Sequence, residues 1–362
     1  MSILQNAAFA KEGAQNKDLR TWADLPLREQ EFWAKVFAGE KQPPLYTDTI
    51  AKNVFSADVH PDRLNFLLRG IAKDESINVV SSASNENFPL SLHAKTTITD
   101  IPAWLAQGRR ADLEIQKAQQ EYIFTRTEIY ASHMLLVQYS VEDGQAKSEV
   151  DYRNVKDVLV VVLMVESPKV FREFDKCSRH YIHRFVQMVS DTGLAVPCKA
   201  KTIYVQLDKC LQQFQEDRNA ESEDDRPDRL QAWLSAIADS NDLKVREAVV
   251  ADSTLQAVST EAFHMTQNKE VQGMILQEKL DRMDFLSYME QFKDEGRREG
   301  KAEGIVEGAD KEREKSIRVL IDALRDFGAG EDAIVDRLMR DYSLSREQAE
   351  SKVTNPSSGG EK

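Results

Sequence analysis

The stretch that decides the fold of this 362-residue chain reads Ala111-Asp112-Leu113-Glu114-Ile115-Gln116-Lys117. Before the final lysine, its odd-numbered positions are apolar and its even-numbered positions are polar. This alternation has the two-residue period of a β-strand, so it predicts a strand with one apolar and one polar face. Glu114 and Gln116 share the polar face.

A second acidic residue, Asp100, stands fourteen positions before Glu114, and Gly108 between them predicts a turn. If Asp100 ends a neighbouring strand, the two carboxylates and the amide of Gln116 converge. Oxygen ligands of this kind suit a hard cation such as Mg²⁺. The ion would polarise a phosphoryl oxygen and generate hydroxide from bound water. The same pattern also describes a strand whose polar face simply meets water, and spacing alone favours that second interpretation.

The composition is typical of a soluble globular protein, because 41% of the residues are hydrophobic and 30% are charged. The longest strongly apolar run, Val158 to Val165, has eight residues, whereas a membrane-spanning helix needs about 20. We therefore interpret this run as a buried strand. The segment from Met1 to Ala10 lacks the basic and apolar regions of a secretory signal. We expect a cytoplasmic protein without a membrane span.

Cysteine usage and net charge bear on location and on nucleic-acid binding. The three cysteines, Cys177, Cys198 and Cys210, are odd in number and widely spaced, which favours free thiols in a reducing compartment. The net charge of −13 argues mildly against a tight DNA binder, because such proteins use positive surface to displace counterions from phosphates. It leaves open an enzyme that holds DNA through a local patch and a metal ion.

The order of the predicted elements indicates the fold class. Helices are expected from Leu27 to Phe37, from Thr47 to Phe55, from Pro61 onward, and for about 20 residues from Tyr122. Strands are expected at Ser76 to Val80, Leu90 to Ile98, Val158 to Val165, Tyr181 to Val189 and Thr202 to Leu207. This order predicts an α/β domain with a mixed sheet flanked by helices. Beyond Pro227 nearly every segment has a helical period.

The acidic segment from Glu221 to Pro227 contains a helix breaker and is the expected domain boundary. We predict an N-terminal packing extension at residues 1–45 and the α/β domain at residues 46–214. An acidic linker at residues 215–226 and a helical region at residues 227–292 would follow. The last part, residues 293–362, is predicted to be a charged glycine-repeat helix with a small helical tail of three short helices.

Glycines recur every four residues in the C-terminal part, at Gly296, Gly300, Gly304 and Gly308. Each costs an isolated helix about 1 kcal/mol relative to alanine. A stripe of small residues could let two helices approach closely, which predicts a homo-oligomer formed through this helix. A frayed, solvated helix explains the stripe equally well.

Basic side chains stand near the candidate strand in the sequence, at Arg109, Arg110, Lys117 and Arg126. They could contact phosphates. Acidic neighbours such as Asp112 and Glu128 could instead pair with them at the surface, and surface ion pairs have little energetic value. His180 and His183 would face opposite sides of a strand, so they cannot bind one metal ion together.

Several motifs in a shared order resemble a known family, the PD-(D/E)XK nuclease family transposases, also called recombination-promoting nucleases. The core of the resemblance consists of Asp100, the run from Gly108 to Gln116, and the run from Arg126 to Tyr130. Further matches are Asp48, Lys52 and Phe55 in the opening helix, Tyr152 before the apolar strand, and Ile203 to Lys209. The resemblance covers about Tyr46 to Phe214 and, more loosely, the glycine-rich tail.

The resemblance implies a restriction-endonuclease-like core in which Asp100 and Glu114 bind a divalent metal ion, together with the backbone carbonyl of Ile115. It makes Gln116 the third catalytic residue, at the position where the wider superfamily has lysine. Asp48 becomes a candidate additional acidic group. The candidate phosphate contacts are Lys52, Arg126 and Lys117.

Two functional hypotheses follow. The first is a Mg²⁺-dependent DNA endonuclease that hydrolyses phosphodiesters and is related to transposition or recombination. The second is a catalytically inactive nuclease-fold protein that binds a partner, or itself, through its acidic helical tail. The ordered set of Asp100, Glu114 and Gln116 motivates the first hypothesis, and the net charge with the glycine stripe motivates the second.

Overall fold

The structure is a computed structural model that describes residues 21–83, 86–87, 97–98, 100–117, 122–138, 151–174, 179–188, 191–218 and 226–354. The chain forms two compact units, Met1–Asp281 and Arg282–Lys362. No helix among the described residues is long and apolar enough to cross a membrane.

The helices, in chain order, are α1 (Leu27–Phe37), α2 (Asp48–Val54), α3 (Pro61–Ala72), α4 (Ile123–Gln138), α5 (Lys169–Glu173), α6 (Leu207–Asp217), α7 (Arg229–Ala238), α8 (Leu243–Ala251), α9 (Ser253–Thr266), α10 (Lys269–Asp326), α11 (Glu331–Tyr342) and α12 (Arg346–Thr354). The strands are β1 (Val79–Ser82), β2 (Glu86–Asn87), β3 (Thr97–Ile98), β4 (Ile101–Leu105), β5 (Arg110–Gln116), β6 (Val158–Met164), β7 (Ile182–Arg184), β8 (Gln187–Met188), β9 (Ala195–Val196) and β10 (Ala200–Gln206).

A six-stranded mixed sheet organises the first unit, with the strand order β1-β4-β5-β6-β10-β7. The strands β5, β6 and β10 run parallel, and β4 and β7 flank them in antiparallel orientation. Two small antiparallel pairs, β2 with β3 and β8 with β9, lie outside this sheet. The mixed α/β fold predicted from the sequence is confirmed.

Helices cover both faces of the sheet. The odd-numbered residues of β6 join Ala111, Leu113 and Ile115 in a large core that includes residues of α1, α2, α3 and α6 to α9, and Ile275 of α10. The even-numbered residues of β6 pack with Ile123, Ala131 and Met134 of α4. Parallel partners in register point to the same face. The polar residues of β5 therefore lie on the face that α4 covers.

The strand β5 is buried along its whole length, since all seven of its residues are inaccessible or nearly so. The interpretation of its polar face as simply solvent-exposed is therefore wrong. The reason is topological, because β5 has a neighbour on each side and helices above and below. Glu114 is 4% exposed and Asp112 is 0% exposed, so both carboxyl groups have lost most of their contact with water.

Predicted and observed elements differ mainly where the sheet ends. The strand predicted at Leu90 to Ile98 lies largely outside the described residues, which show only β3 there. The strand predicted from Tyr181 to Val189 is interrupted at Phe185 and Val186, which are exposed. Only three residues of β7 pair with β10. Because β7 lies at the edge of the sheet, β10 is the only strand of the described chain that it pairs with. Residues 219–225 of the expected linker lie outside the described part.

The second unit has a small core of its own, formed by the end of α10 with α11 and α12. Its buried members are Ile317, Ile321, Ile334, Val335, Leu338, Ala349 and Val353. The first of the three predicted short helices is therefore the last part of the long helix α10. An uninterrupted helical hydrogen-bond pattern through the glycine repeat accounts for the difference.

At concentrations where the chain is monomeric, alanine at Gly304 and Gly308 is expected to stabilise α10 by about 1 kcal/mol per site, because alanine is the better helix former. A Cβ atom built at either glycine meets no heavy atom within 4 Å among the described residues, so the chain itself offers no steric obstacle. Thermal unfolding followed by far-ultraviolet circular dichroism measures the change. If the wild type is oligomeric at higher concentration, a reduced sedimentation mass of the variants under the same conditions would show that the glycine face contacts a second copy of the chain.

Candidate functional site

The residues Asp100 and Glu114 meet where β4 begins and β5 approaches its end. Ile101 of β4 lies opposite Leu113 of β5 in the antiparallel register, so Asp100 falls beside Glu114. The backbone N–H of Asp100 donates to Glu114 Oε1 at 3.1 Å, and the N–H of Ile115 donates to Asp100 Oδ2 at 2.8 Å. Asp100 thus directly precedes the neighbouring strand β4, whereas the sequence suggests that it ends a strand. The antiparallel pairing brings the two carboxyl groups together.

Arg126 of α4 contacts the polar residues of β5. Its guanidinium donates to Glu114 Oε2 at 3.1 Å from Nη2 and to Gln116 Oε1 at 3.3 Å from Nη1. A third bond runs from Arg126 Nε to the hydroxyl of Tyr130 at 2.9 Å. Arg126 and Tyr130 are four residues apart, so they share one face of the helix. The helix thereby places one permanent positive charge between Glu114 and Gln116.

Burial dominates the electrostatics of this cluster. It raises the pKa of Glu114 well above its ordinary value, and the nearby Asp112 and Asp100 raise it further, against the opposing effect of Arg126. The pKa of Asp100 is also raised, chiefly by burial, although Ile115 N–H favours its charged form. Burial raises the pKa of Tyr130 to about 12, so its hydroxyl stays protonated at neutral pH.

Asp112 also belongs to the cluster, although the sequence suggested it only as a possible surface partner of the basic side chains. Its carboxyl group is 0% exposed, and burial raises its pKa to about 7. Neither carboxyl oxygen makes a hydrogen bond of normal geometry with a described residue. The Glu114 side chain and the Ile101 amide nevertheless lie close enough to lower the pKa of Asp112 in part. The two-residue period already placed Asp112 on the same face as Glu114.

The helix α2 borders the site and contributes Asp48 and Lys52. Asp48 is close enough to Asp100 to raise its pKa, while Lys52 lowers it. Lys117, the residue after β5, forms ion pairs with Asp48 Oδ1 at 2.7 Å and with Glu278 Oε1 at 2.5 Å. Sequence reasoning missed Glu278, which follows Lys117 by 161 positions and belongs to no motif that pointed to it.

Two of the basic residues that stand near the strand in sequence lie away from the carboxyl groups. Arg109 donates to the Ser76 carbonyl at 2.9 Å, and Arg110 lies over the Trp104 ring at 4.9 Å. Both line a cavity of about 440 Å³ near the first residues of β6 and β10, whereas the candidate site lies toward the other end of β5. Of the four basic side chains singled out in the sequence, Lys117 and Arg126 reach the candidate site.

The chemistry of the donors fits a hard divalent cation. No group of three or more acidic, histidine or cysteine side chains in the described part of the chain is assembled as a ready metal site. The carboxyl groups of Asp100, Asp112 and Glu114 nevertheless lie close together with raised pKa values. Among them, Glu114 is in direct contact with the guanidinium of Arg126. Carboxylate oxygens are the ligands that Mg²⁺ prefers, and a cation would offset the burial and the mutual repulsion that raise their pKa values.

Comparison with known proteins identifies the family of this fold and site. The family model for PD-(D/E)XK nuclease family transposases matches residues 45–291, which include every candidate site residue named above. No curated protein and no solved structure gave a match. The matched region, the confirmed fold and the ordered motifs agree, and the chain belongs to the PD-(D/E)XK nuclease family transposases.

Proposed function

We propose that this protein is a Mg²⁺-dependent DNA endonuclease that hydrolyses phosphodiester bonds and is related to transposition and recombination functions. The observation that carries the proposal is the hydrogen bond from the backbone N–H of Asp100 to the buried carboxyl group of Glu114, which Arg126 also contacts. Two carboxyl groups near the ends of neighbouring strands, beside a permanent cation, suit the binding of a metal ion and a phosphate together.

In this proposal Asp100, Glu114 and the backbone carbonyl of Ile115 hold the metal ion. When bound, the ion polarises a phosphoryl oxygen and lowers the pKa of a coordinated water. Hydrogen bonds between the backbone and the carboxyl groups hold Asp100 and Glu114 in place before any ligand arrives. Fixed donors and acceptors need little reorganisation during the reaction.

Arg126 supplies the positive charge that Gln116 lacks. Glutamine has no ionisable group, so it cannot replace lysine electrostatically. The guanidinium of Arg126 contacts both Glu114 and Gln116, and arginine stays charged even when partly buried. We assign Arg126 to the stabilisation of negative charge on the attacked phosphate, and Gln116 to the orientation of the attacking water.

The groups of α2 and Lys117 complete the proposed site. Lys52 is partly exposed beside Asp100, so it is available as a contact for a DNA phosphate. Asp48 is the proposed additional acidic group. Lys117 is 10% exposed and bridges Asp48 and Glu278, so it holds Asp48 at the border of the site.

The proposed reaction is balanced without any further reactant. A water oxygen forms a bond to phosphorus while the bond from phosphorus to one ester oxygen breaks. One proton leaves the attacking water, and one proton reaches the departing ester oxygen. One phosphodiester and one water therefore give one phosphomonoester and one hydroxyl end.

We further propose a cytoplasmic location and self-association through the C-terminal helix. The free thiols of Cys198 and Cys210 fit a reducing compartment. Gly304 and Gly308 present an exposed small-residue face on which a second helix could pack closely. Sedimentation of the full chain over a range of concentrations measures the oligomeric state.

Incubation of the purified protein with supercoiled plasmid DNA tests the proposed activity. We expect nicked or linear DNA in the presence of Mg²⁺, and no cleavage when a chelator removes the ion, because the metal generates the nucleophile. The Asp100→Asn variant, prepared in the same way, controls for a contaminating nuclease. No cleavage of several DNA substrates, or equal cleavage by the variant, would reject the proposal and leave the interaction-protein hypothesis in its place.

A further inference from the structure

The carboxylate of Glu278 joins three elements at the border of the candidate site. Its side chain on α10 is 13% exposed. Oε1 accepts hydrogen bonds from Lys117 Nζ at 2.5 Å and from the backbone N–H of Asp48 at 3.2 Å. Oε2 accepts from the N–H and the hydroxyl of Thr49 at 3.1 and 3.2 Å. One side chain thus fixes the start of α2 and the residue after β5.

The charged form of Glu278 is favoured by these contacts. Burial is the largest single effect and raises its pKa, but Lys117, Lys279 and the backbone N–H of Thr49 together bring the pKa below the ordinary value. The first N–H groups of a helix have no partner within the helix, and Glu278 satisfies two of them in α2. A buried carboxylate with this many donors is a well-satisfied group, and its removal leaves several donors unpaired.

We propose that Glu278 is a positioning residue of the metal site, acting through Asp48 and Lys117. This inference rests on the proposed function. The Glu278 carboxylate holds the backbone of Asp48 and the ammonium of Lys117, and Lys117 in turn binds Asp48 Oδ1 at 2.7 Å. Asp48 is thereby kept beside Asp100, and the end of β5 at Gln116 is anchored through its covalent neighbour.

The connection to the metal ligands is short. Lys117 follows Gln116 directly, and Asp48 is close enough to Asp100 to shift its pKa. Partners that orient metal ligands from outside typically change metal affinity or activity by about 10- to 100-fold when they are replaced. The active unit therefore includes the first turns of α10, beyond the domain of residues 46–214 that the sequence suggested.

Binding of Mn²⁺ to the full-length chain, measured by isothermal titration calorimetry, tests the proposal independently of catalysis. The Glu278→Gln variant removes the charge and keeps the size of the side chain. The matched control is Asp281→Asn, because Asp281 is an exposed acidic residue on the same helix whose carboxylate accepts from Gln277. We expect the Kd for Mn²⁺ to rise about 10- to 100-fold in Glu278→Gln and to stay near the wild-type value in the control.

Two further measurements separate positioning from general damage to the fold. In Mg²⁺-dependent cleavage, Glu278→Gln should lower kcat by a similar factor while KM for DNA changes by less than about twofold, because the lost interaction acts at the reacting centre. Lys117→Met removes the same ion pair from its other end. This variant should raise the Kd for Mn²⁺ by a similar factor. The Kd of the double variant should not exceed that of the more affected single variant.

The outcomes distinguish this inference from the proposed function. A Glu278→Gln variant that binds Mn²⁺ as Asp281→Asn does would overturn the inference alone. If Glu278→Gln loses its circular dichroism spectrum, Lys117→Met decides, and normal Mn²⁺ binding by that variant overturns the inference. A wild-type protein that neither binds Mn²⁺ nor cleaves DNA would overturn the proposed function and this inference together.

Discussion

Replacing Glu114 by glutamine is expected to lower Mg²⁺-dependent DNA cleavage by at least about 10³-fold. A metal ion held by Glu114 would supply several kcal/mol of charge stabilisation in the transition state, and each 1.4 kcal/mol corresponds to about a factor of ten in rate. Glutamine keeps the size of the side chain and one oxygen acceptor, but it removes the negative charge that faces Arg126 and that would bind the proposed metal ion. Initial rates of plasmid nicking at saturating Mg²⁺ measure the effect.

The matched control for this variant is Glu128→Gln, which makes the same chemical change at an exposed position of α4. We expect the control to cleave within about twofold of the wild type, because exposed charges far from the chemistry contribute little. Both variants must show the wild-type circular dichroism spectrum. Cleavage by Glu114→Gln at the rate of the Glu128→Gln control would mean that Glu114 holds no catalytic metal.

Replacing Asp112 by asparagine is expected to stabilise the metal-free protein at alkaline pH. The pKa of Asp112 is raised from its ordinary 3.8 to about 7, chiefly by burial. The folded state therefore binds the proton more tightly than the unfolded state does, and this contribution to stability is lost as the pH rises from about 4 to about 7. Above that range the buried charge destabilises the wild type by about 4 kcal/mol at most.

The difference in unfolding free energy between Asp112→Asn and the wild type should therefore depend on pH. It is expected to grow by about 1.4 kcal/mol per pH unit between about pH 4 and pH 7, and then to level off. The asparagine amide buries polar hydrogens of its own. This lowers the unfolding free energy of the variant by about 1–3 kcal/mol at every pH and leaves the pH dependence of the difference unchanged. Urea unfolding in the presence of a chelator measures the unfolding free energy of the wild type and of Asp112→Asn. A difference that is independent of pH would show that Asp112 titrates normally in the folded protein.

The sequence determined the fold class through local patterns. The sequence predicted a helix from about Leu27 to Phe37, which are the bounds of α1, and the apolar run from Val158 predicted β6. Apolar periodicity reports burial of one face or of both faces, and burial is what builds a sheet flanked by helices. The shared order of short motifs also indicated the family, which the match to residues 45–291 confirms.

The sequence also placed Glu114 and Gln116 on one face of β5, together with Asp112. Alternation states which residues share a face, but it does not state what covers that face. Only the tertiary structure showed that α4 covers it and that Arg126 lies between Glu114 and Gln116. Burial under α4, rather than the residue types themselves, changes these carboxyl groups from solvated side chains into groups with raised pKa values.

The position of Asp100 likewise depended partly on the sequence and partly on the tertiary structure. Its spacing of fourteen residues from Glu114 suggested a meeting of two strands, but the direction and register of those strands set the contact. The contacts of Glu278 could not be predicted from the sequence, because α10 joins the site from a distant part of the chain. Local patterns fix secondary structure and faces, whereas contacts between distant residues depend on how the helices pack on the sheet. The candidate strand was therefore determined by the sequence, and the surroundings that give it chemical function were decided by the tertiary structure.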